Sequence, residues 1–142
     1  MSDKFFLDTN ILIYAFSSQD EAKRHRAMTL LRKAIQTGLG IISWQVVQEF
    51  LSVALHKNTL NSMTADELDN TVKLILAPLC LVWPSAELWQ AALQLQQQTS
   101  YRYYDSLVLA AALASGAHIL YSEDLQHGRK IGPLRIENPF LA

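Results

Sequence analysis

Residues 4–16 read KFFLDTNILIYAF. Residues 4–7 have the pattern of a short buried strand, and Asn10 to Phe16 reads as the start of a helix. Between them stands Asp8, a carboxylate at the point where strand hands over to helix. A charge in such a place must be hydrogen-bonded, paired or bound to a cation, because an unpartnered buried carboxylate is costly. The simplest reading is an N-cap, in which Asp8 accepts from the first free N–H groups of the helix.

The same strand-then-helix pattern repeats outward from this stretch. Asp20 to Gln36 is helical, with Ala27, Leu30, Leu31, Ala34 and Ile35 as its apolar stripe, and Gly38 and Gly40 end it. GIIS (40–43) predicts a second strand and Trp44 to Lys57 a second long helix. Thr64-Ala-Asp-Glu67 has the spacing of a capping box and opens a third. LCLVW (79–83) is a third strand stopped by Pro84, and Ser85 opens the next helix. Tyr104 to Ser115 is apolar nearly all round, which predicts a central helix. HILYS (118–122) and LRIENPF (134–140) complete five strands. Short apolar strands alternating with helices predict an α/β fold with a parallel sheet covered on both faces. In such a fold the large residues Trp89, Leu93 and the Tyr101-Arg102-Tyr103-Tyr104 stretch are assigned mostly inward.

A chain of 142 residues, half of them apolar and 18% charged, is expected to form one domain over residues 1–142. Cys80 is the only cysteine, so it cannot pair within the chain, which fits a reducing cytoplasm. Neither a signal peptide nor a run of the roughly 20 apolar residues that span a bilayer is present, so no membrane association is expected. A net charge of −1 carries no global signature of a nucleic-acid binder. The basic clusters Lys23-Arg24-His25-Arg26, Arg32-Lys33 and Arg129-Lys130 read singly as solvated faces.

Ligands of an open parallel sheet bind beyond the carboxyl ends of its strands. Asp8 stands at the end of strand one and Asp124 just past the end of strand four. Asp105 opens the central helix, and Glu49 lies in the second turn of the helix after strand two, bordering the stripe of Val46, Phe50, Val53 and Ala54. Each has an ordinary explanation: caps or first-turn acids for Asp8 and Asp105, a solvated helix residue for Glu49, a turn former for Asp124. Together they predict a shared carboxylate cluster. Crowded carboxylates raise one another's pKa unless a cation intervenes, and an all-oxygen site suits Mg²⁺ or Mn²⁺. His25, His56, His118 and His127 share no zinc spacing, and no Gly-rich phosphate loop, GxSxG elbow or Cys/His nucleophile pattern is present. What remains suits water attack on a phosphodiester at a metal site.

The stretches FFLDTNILIYAF, SWQVVQEFLSVAL, YYDSLVLAAALASGAHILYSEDLQHG and IENPF closely resemble PIN-domain ribonucleases, and more narrowly the toxin of VapBC-type toxin–antitoxin pairs. The resemblance spans essentially the whole chain and is carried by the ordered set Asp8, Glu49, Asp105 and Ser122-x-Asp124 rather than by any one motif. It implies a twisted five-stranded parallel sheet of order 3-2-1-4-5 and Mg²⁺- or Mn²⁺-dependent cleavage of RNA. It also implies a homodimer and neutralisation by a small cognate antitoxin. Asp8, Glu49, Asp105 and Asp124 carry over as the catalytic, metal-binding acids, and Asn10, Ser122 and Thr9 as polar residues supporting them. Within Ser122-Glu123-Asp124, Glu123 competes with Asp124 for the fourth place, which Asp124 takes by its spacing after the strand.

Arg102, Arg129 and Lys130 lie near Asp105 and Asp124 in the sequence and are the candidates for phosphate contacts, with solvated charge as the alternative. Two other functions compete. A haloacid-dehalogenase-type phosphatase wants a second aspartate two residues after the first, where this chain has Asn10, and a receiver domain wants a lysine after strand five. A PIN-like binding or scaffold module would have lost one or more acids, and all four are present.

Overall fold

The computed structural model describes residues 3–56 and 63–141. Phe5–Leu7 form β1, buried at all three positions, which requires cover on both faces of the sheet. Helix α1 (Thr9–Phe16) follows directly, and α2 (Glu21–Thr37) is capped by Asp20, which accepts from the Lys23 N–H. Gly38 ends α2 in the left-handed conformation, at φ 69°. Strand β2 (Gly40–Ser43) then runs beside β1. A Cβ at Gly40 would stand 2.1 Å from the Ala34 Cβ, so the close approach of α2 to the sheet demands glycine there.

Ser43 caps α3 (Trp44–Ala54) through its hydroxyl, and the Leu55 N–H closes the last turn. The helix therefore stops short of Lys57, which lies outside the described residues. The predicted capping box is present: Thr64 and Glu67 satisfy each other's N–H groups at the start of α4 (Ala65–Thr71). A π-turn over Val72–Leu76 and a 3₁₀ turn over Ala77–Leu79, which contains Pro78, bring the chain into β3 (Cys80–Val82). Ser85 caps α5 (Ala86–Thr99), and α6 (Tyr103–Ala114) packs along it, with Ser106 and Val108 to Ala112 buried. Strands β4 (Ile119–Tyr121), β5 (Lys130–Ile131) and β6 (Leu134–Glu137) complete the chain.

The sheet has the order β3-β2-β1-β4-β6-β5, and every pairing is parallel except that of β5 with β6. The five predicted strands keep the order 3-2-1-4-5. The sixth is an addition: two residues hairpinned onto β6 across Gly132, whose φ of 56° suits the tight turn. Phe6, Leu12, Phe50, Leu109 and Leu120 are among the core side chains with no exposed surface. Among the described residues no helix is long and apolar enough to cross a membrane.

Several large apolar residues differ from expectation. Ile35 is half exposed and leaves the α2 stripe to Ala27, Leu30, Leu31 and Ala34. Trp89, Leu93, Tyr103 and Tyr104, assigned mostly inward, are exposed, as are Trp44 and Trp83, whose rings stack with centroids 5.1 Å apart. The small alanines of α6, Ala110 to Ala112, are buried in their place. Cys80 is buried in β3, at the edge of the sheet.

Candidate active site

Parallel pairing puts Leu7 of β1 beside Tyr121 of β4, so the next residues, Asp8 and Ser122, emerge together at the carboxyl ends of the strands. Asp8 Oδ1 accepts from the Thr9 N–H at 2.8 Å, and Oδ2 accepts from Ser122 Oγ at 2.7 Å. The N-cap reading is thus correct and incomplete, because the cap uses only one oxygen. Ser122 Oγ also accepts from the Asp124 N–H at 3.3 Å, and Asn10 Nδ2 donates to Asp124 Oδ2 at 3.2 Å. Ser122 and Asn10 therefore tie Asp124 to Asp8.

Glu49 is exposed on α3, where Gln45, one turn earlier, donates to its Oε1 at 2.8 Å and to the Tyr104 carbonyl at 3.2 Å. Asp105 stands in the first turn of α6, favoured there by the helix dipole, while the N-cap position belongs to Arg102. Arg102 Nε reaches Asp105 Oδ2 at 3.5 Å, a loose pair in which the arginine side chain is 88% exposed. All four acids line one cleft of about 410 Å³, together with Thr9, Asn10, Gln45, Arg102, Tyr104 and Val108.

Burial dominates the electrostatics of Asp8 and pushes its pKa from 3.8 up to about 6. The Ser122 and Thr9 donors oppose that rise, and the nearby charges of Glu49 and Asp124 add to it. Thr9 also lines the cleft, and its Oγ1 is buried without a hydrogen-bond partner. A desolvated carboxylate, like charges around it and an unsatisfied hydroxyl oxygen form a donor set suited to a hard divalent cation. Among the described residues no three acids are drawn together tightly enough to hold an ion as they stand. Three of them have side-chain partners instead: Gln45 holds Glu49, Arg102 reaches Asp105 and Asn10 holds Asp124.

Glu123 points elsewhere. Tyr14 of α1 donates to its Oε1 at 2.7 Å, and Lys23 of α2 pairs with its Oε2 and donates to the Tyr14 hydroxyl at 3.2 Å. The Glu123 hydrogen bond is the main cause that raises both the Tyr14 phenol and the Lys23 ammonium above their usual ranges. The cluster Lys23-Arg24-His25-Arg26 is accordingly more than a solvated face: Lys23 holds Glu123, and Arg26 donates to the Pro139 carbonyl at 3.1 Å.

Of the three basic candidates only Arg102 lines the cleft. Arg129 is half-buried, its guanidinium 5.0 Å from the centre of the Tyr101 ring and within hydrogen-bond reach of the Thr99 carbonyl. Lys130 lies on β5, in a strand rather than a loop, and borders a different cavity with Gly132 and Arg135. Gln45 and Tyr104 also line the cleft, although the sequence reading assigns neither to the site and counts Tyr104 among the inward residues. The four-residue spacing of Gln45 and Glu49 on a helix is the signal that could have found the first.

A family model, that of the PIN domain, matches residues 5–131. No curated protein matches the chain. Among solved structures, it is similar to a toxin–antitoxin complex from Klebsiella pneumoniae, at 18% identity and a TM-score of 0.67 over 96% of this chain and 98% of that one. It is similar also to DNA-bound VapBC from Salmonella typhimurium, at 19% identity and a TM-score of 0.67 over 98% and 99% of the two chains. A third is VapC20 of Mycobacterium tuberculosis, a sarcin–ricin-loop-cleaving toxin, at 13% identity and a TM-score of 0.63 over 85% and 90%. At these identities the structures speak for the fold alone; the family model, which spans most of the chain from β1 to β5, places it plainly in the PIN domain family.

Proposed function

We propose that this chain is an endoribonuclease that uses Mg²⁺ or Mn²⁺ and acts as the toxin of a toxin–antitoxin pair. The observation that carries the reading is the convergence of Asp8, Glu49, Asp105 and Asp124 on one cleft, with Asp8 desolvated among like charges. Membership of the PIN family and likeness in fold to an RNA-cleaving toxin support it. Asp8, Glu49, Asp105 and Asp124 would hold the cation, with Thr9 Oγ1 a further oxygen at hand. A bound divalent cation would polarise a phosphodiester oxygen and lower the pKa of water at the site.

The chain's own residues supply the rest. Ser122 and the Thr9 N–H each take one lone pair of Asp8, which orients the carboxylate and leaves its remaining lone pairs for a cation. Asn10 and Ser122 orient Asp124, and Gln45 orients Glu49. Arg102, reaching over the cleft from the start of α6, would take up a substrate phosphate when its loose hold on Asp105 is released.

The partners belong to the same proposal: RNA as substrate, a small antitoxin as neutraliser, and a second copy of this chain. Support for self-association is the exposed apolar face made by Trp44, Trp83, Trp89 and Leu93 next to the edge strand β3. The deciding experiment incubates a defined single-stranded RNA with the protein and Mn²⁺ or Mg²⁺, with and without chelator. Shortening of the RNA by wild type, lost with chelator and in Asp105→Asn, supports the nuclease. Equal cutting by wild type and variant, or release of phosphate from a small monoester with RNA intact, overturns it.

A further inference from the structure

The Ser122-Glu123-Asp124 turn places two acids side by side at the mouth of the sheet, and only Asp124 lines the cleft. Glu123 is drawn away by two donors from two different helices, Tyr14 on α1 and Lys23 on α2. Its main chain is held as well, since the Glu123 N–H donates to Asn10 Oδ1 at 3.2 Å. The same Asn10 side chain donates through Nδ2 to Asp124 Oδ2. One continuous network therefore runs from Lys23 and Tyr14 through Glu123 and Asn10 to Asp124.

The outer end of this network is sheltered. The Lys23 ammonium stands 4.7 Å from the centre of the Tyr14 ring and 5.5 Å from that of Phe140, and the two rings meet edge to face at 5.0 Å. Arg26, on the same helix as Lys23, holds the closing segment through the Pro139 carbonyl. Side-chain exposures of 32% for Lys23 and 24% for Glu123 leave the pair less screened than an open surface pair.

We propose that Lys23 and Tyr14 are positioning residues for the acidic site: by clamping Glu123 out of the cleft they fix the turn that presents Asp124. The proposal rests on the reading of the cleft as a cation site, and it assigns Glu123 to the support of that site rather than to its ligand set. Removing either end of the clamp frees the turn, so Lys23→Met and Glu123→Gln should act alike and the double variant should be no worse than either. Outer-shell partners of this kind typically change metal affinity by roughly tenfold or more.

The test uses the full chain and two readouts besides cleavage: Mn²⁺ affinity followed by electron paramagnetic resonance, and hydrogen exchange at the Glu123 amide in cation-free protein. Each single variant should weaken Mn²⁺ roughly tenfold and lose protection at that amide, the double variant should match them, and Lys23→Arg should recover both. Affinity and protection within twofold of wild type in Lys23→Met, with only Tm lowered, would mean a purely structural pair and would overturn the proposal. So would loss of Mn²⁺ binding in Glu123→Gln with Lys23→Met unaffected, which would make Glu123 a ligand. If wild type binds Mn²⁺ but cuts no RNA, the nuclease reading fails while these comparisons still decide the clamp. If wild type binds no Mn²⁺, the cation site falls and the clamp with it.

Discussion

Ser122 Oγ donates to Asp8 Oδ2 at 2.7 Å across 114 positions of chain, and both residues are buried. Strand pairing rather than local sequence makes this contact, and it gives a buried carboxylate its second fixed oxygen. Ser122→Ala leaves that oxygen without its donor. Stability near neutral pH should fall by about 1–3 kcal/mol in urea unfolding. The loss should shrink toward acid pH, where Asp8 carries a proton.

The raised pKa of Asp8 has a definite sign in stability. An unfolded aspartate releases its proton near 3.8 and the folded one near 6, so between those values the folded state binds more protons. The stability that Asp8 contributes therefore declines as pH climbs through that window and stays lower above it, by on the order of 3 kcal/mol. Asp8→Asn should flatten the decline and be more stable than wild type at pH 7 in chelator. Denaturant unfolding of both proteins from pH 4 to 8 checks this.

Under the nuclease reading the four acids act as one unit, so their removal should be strongly non-additive. Asp8→Asn, Asp105→Asn and the double variant should all fall to nearly the same residual cleavage rate. Multiplying losses in single-turnover RNA assays would mean that the acids work separately.

Arg102 and Arg129 should part company. Arg102→Ala, in the cleft, should weaken RNA binding and lower the slope of log affinity against log salt by about one phosphate contact. Arg129→Ala should leave both unchanged. It should instead cost about 1 kcal/mol of stability, because the guanidinium packs on Tyr101 and caps the Thr99 carbonyl. Filter binding across salt and thermal melts separate the two.

The exposed tryptophans give the fifth expectation. If copies associate through this face, Trp83→Glu should shift sedimentation from dimer to monomer while the Asp8–Ser122 bond and the acidic cleft stay intact. Identical sedimentation of wild type and variant over a wide concentration range would place the contact elsewhere.

The gathering of the acids at one end of the sheet was legible by three different signals: strand ends place Asp8 and Asp124, helical periodicity places Glu49, and a first-turn position places Asp105. The antiparallel strand was not, since two residues flanking Gly132 and Pro133 offer too little alternation to read. The inward assignment of Trp89 and Leu93 failed because hydrophobicity alone does not tell a core residue from an exposed one. Lys23 could not be matched to Glu123 from the sequence at all, because the two meet only through the tertiary fold, 100 positions apart.

Cys80 gives the fold a clock. It is the chain's one thiol, buried in an edge strand, and burial pushes its pKa up. A thiol-reactive dye can therefore reach it only when the packing over β3 opens. The rate of dye uptake under native conditions thus counts how often that margin of the sheet opens, without any engineered probe.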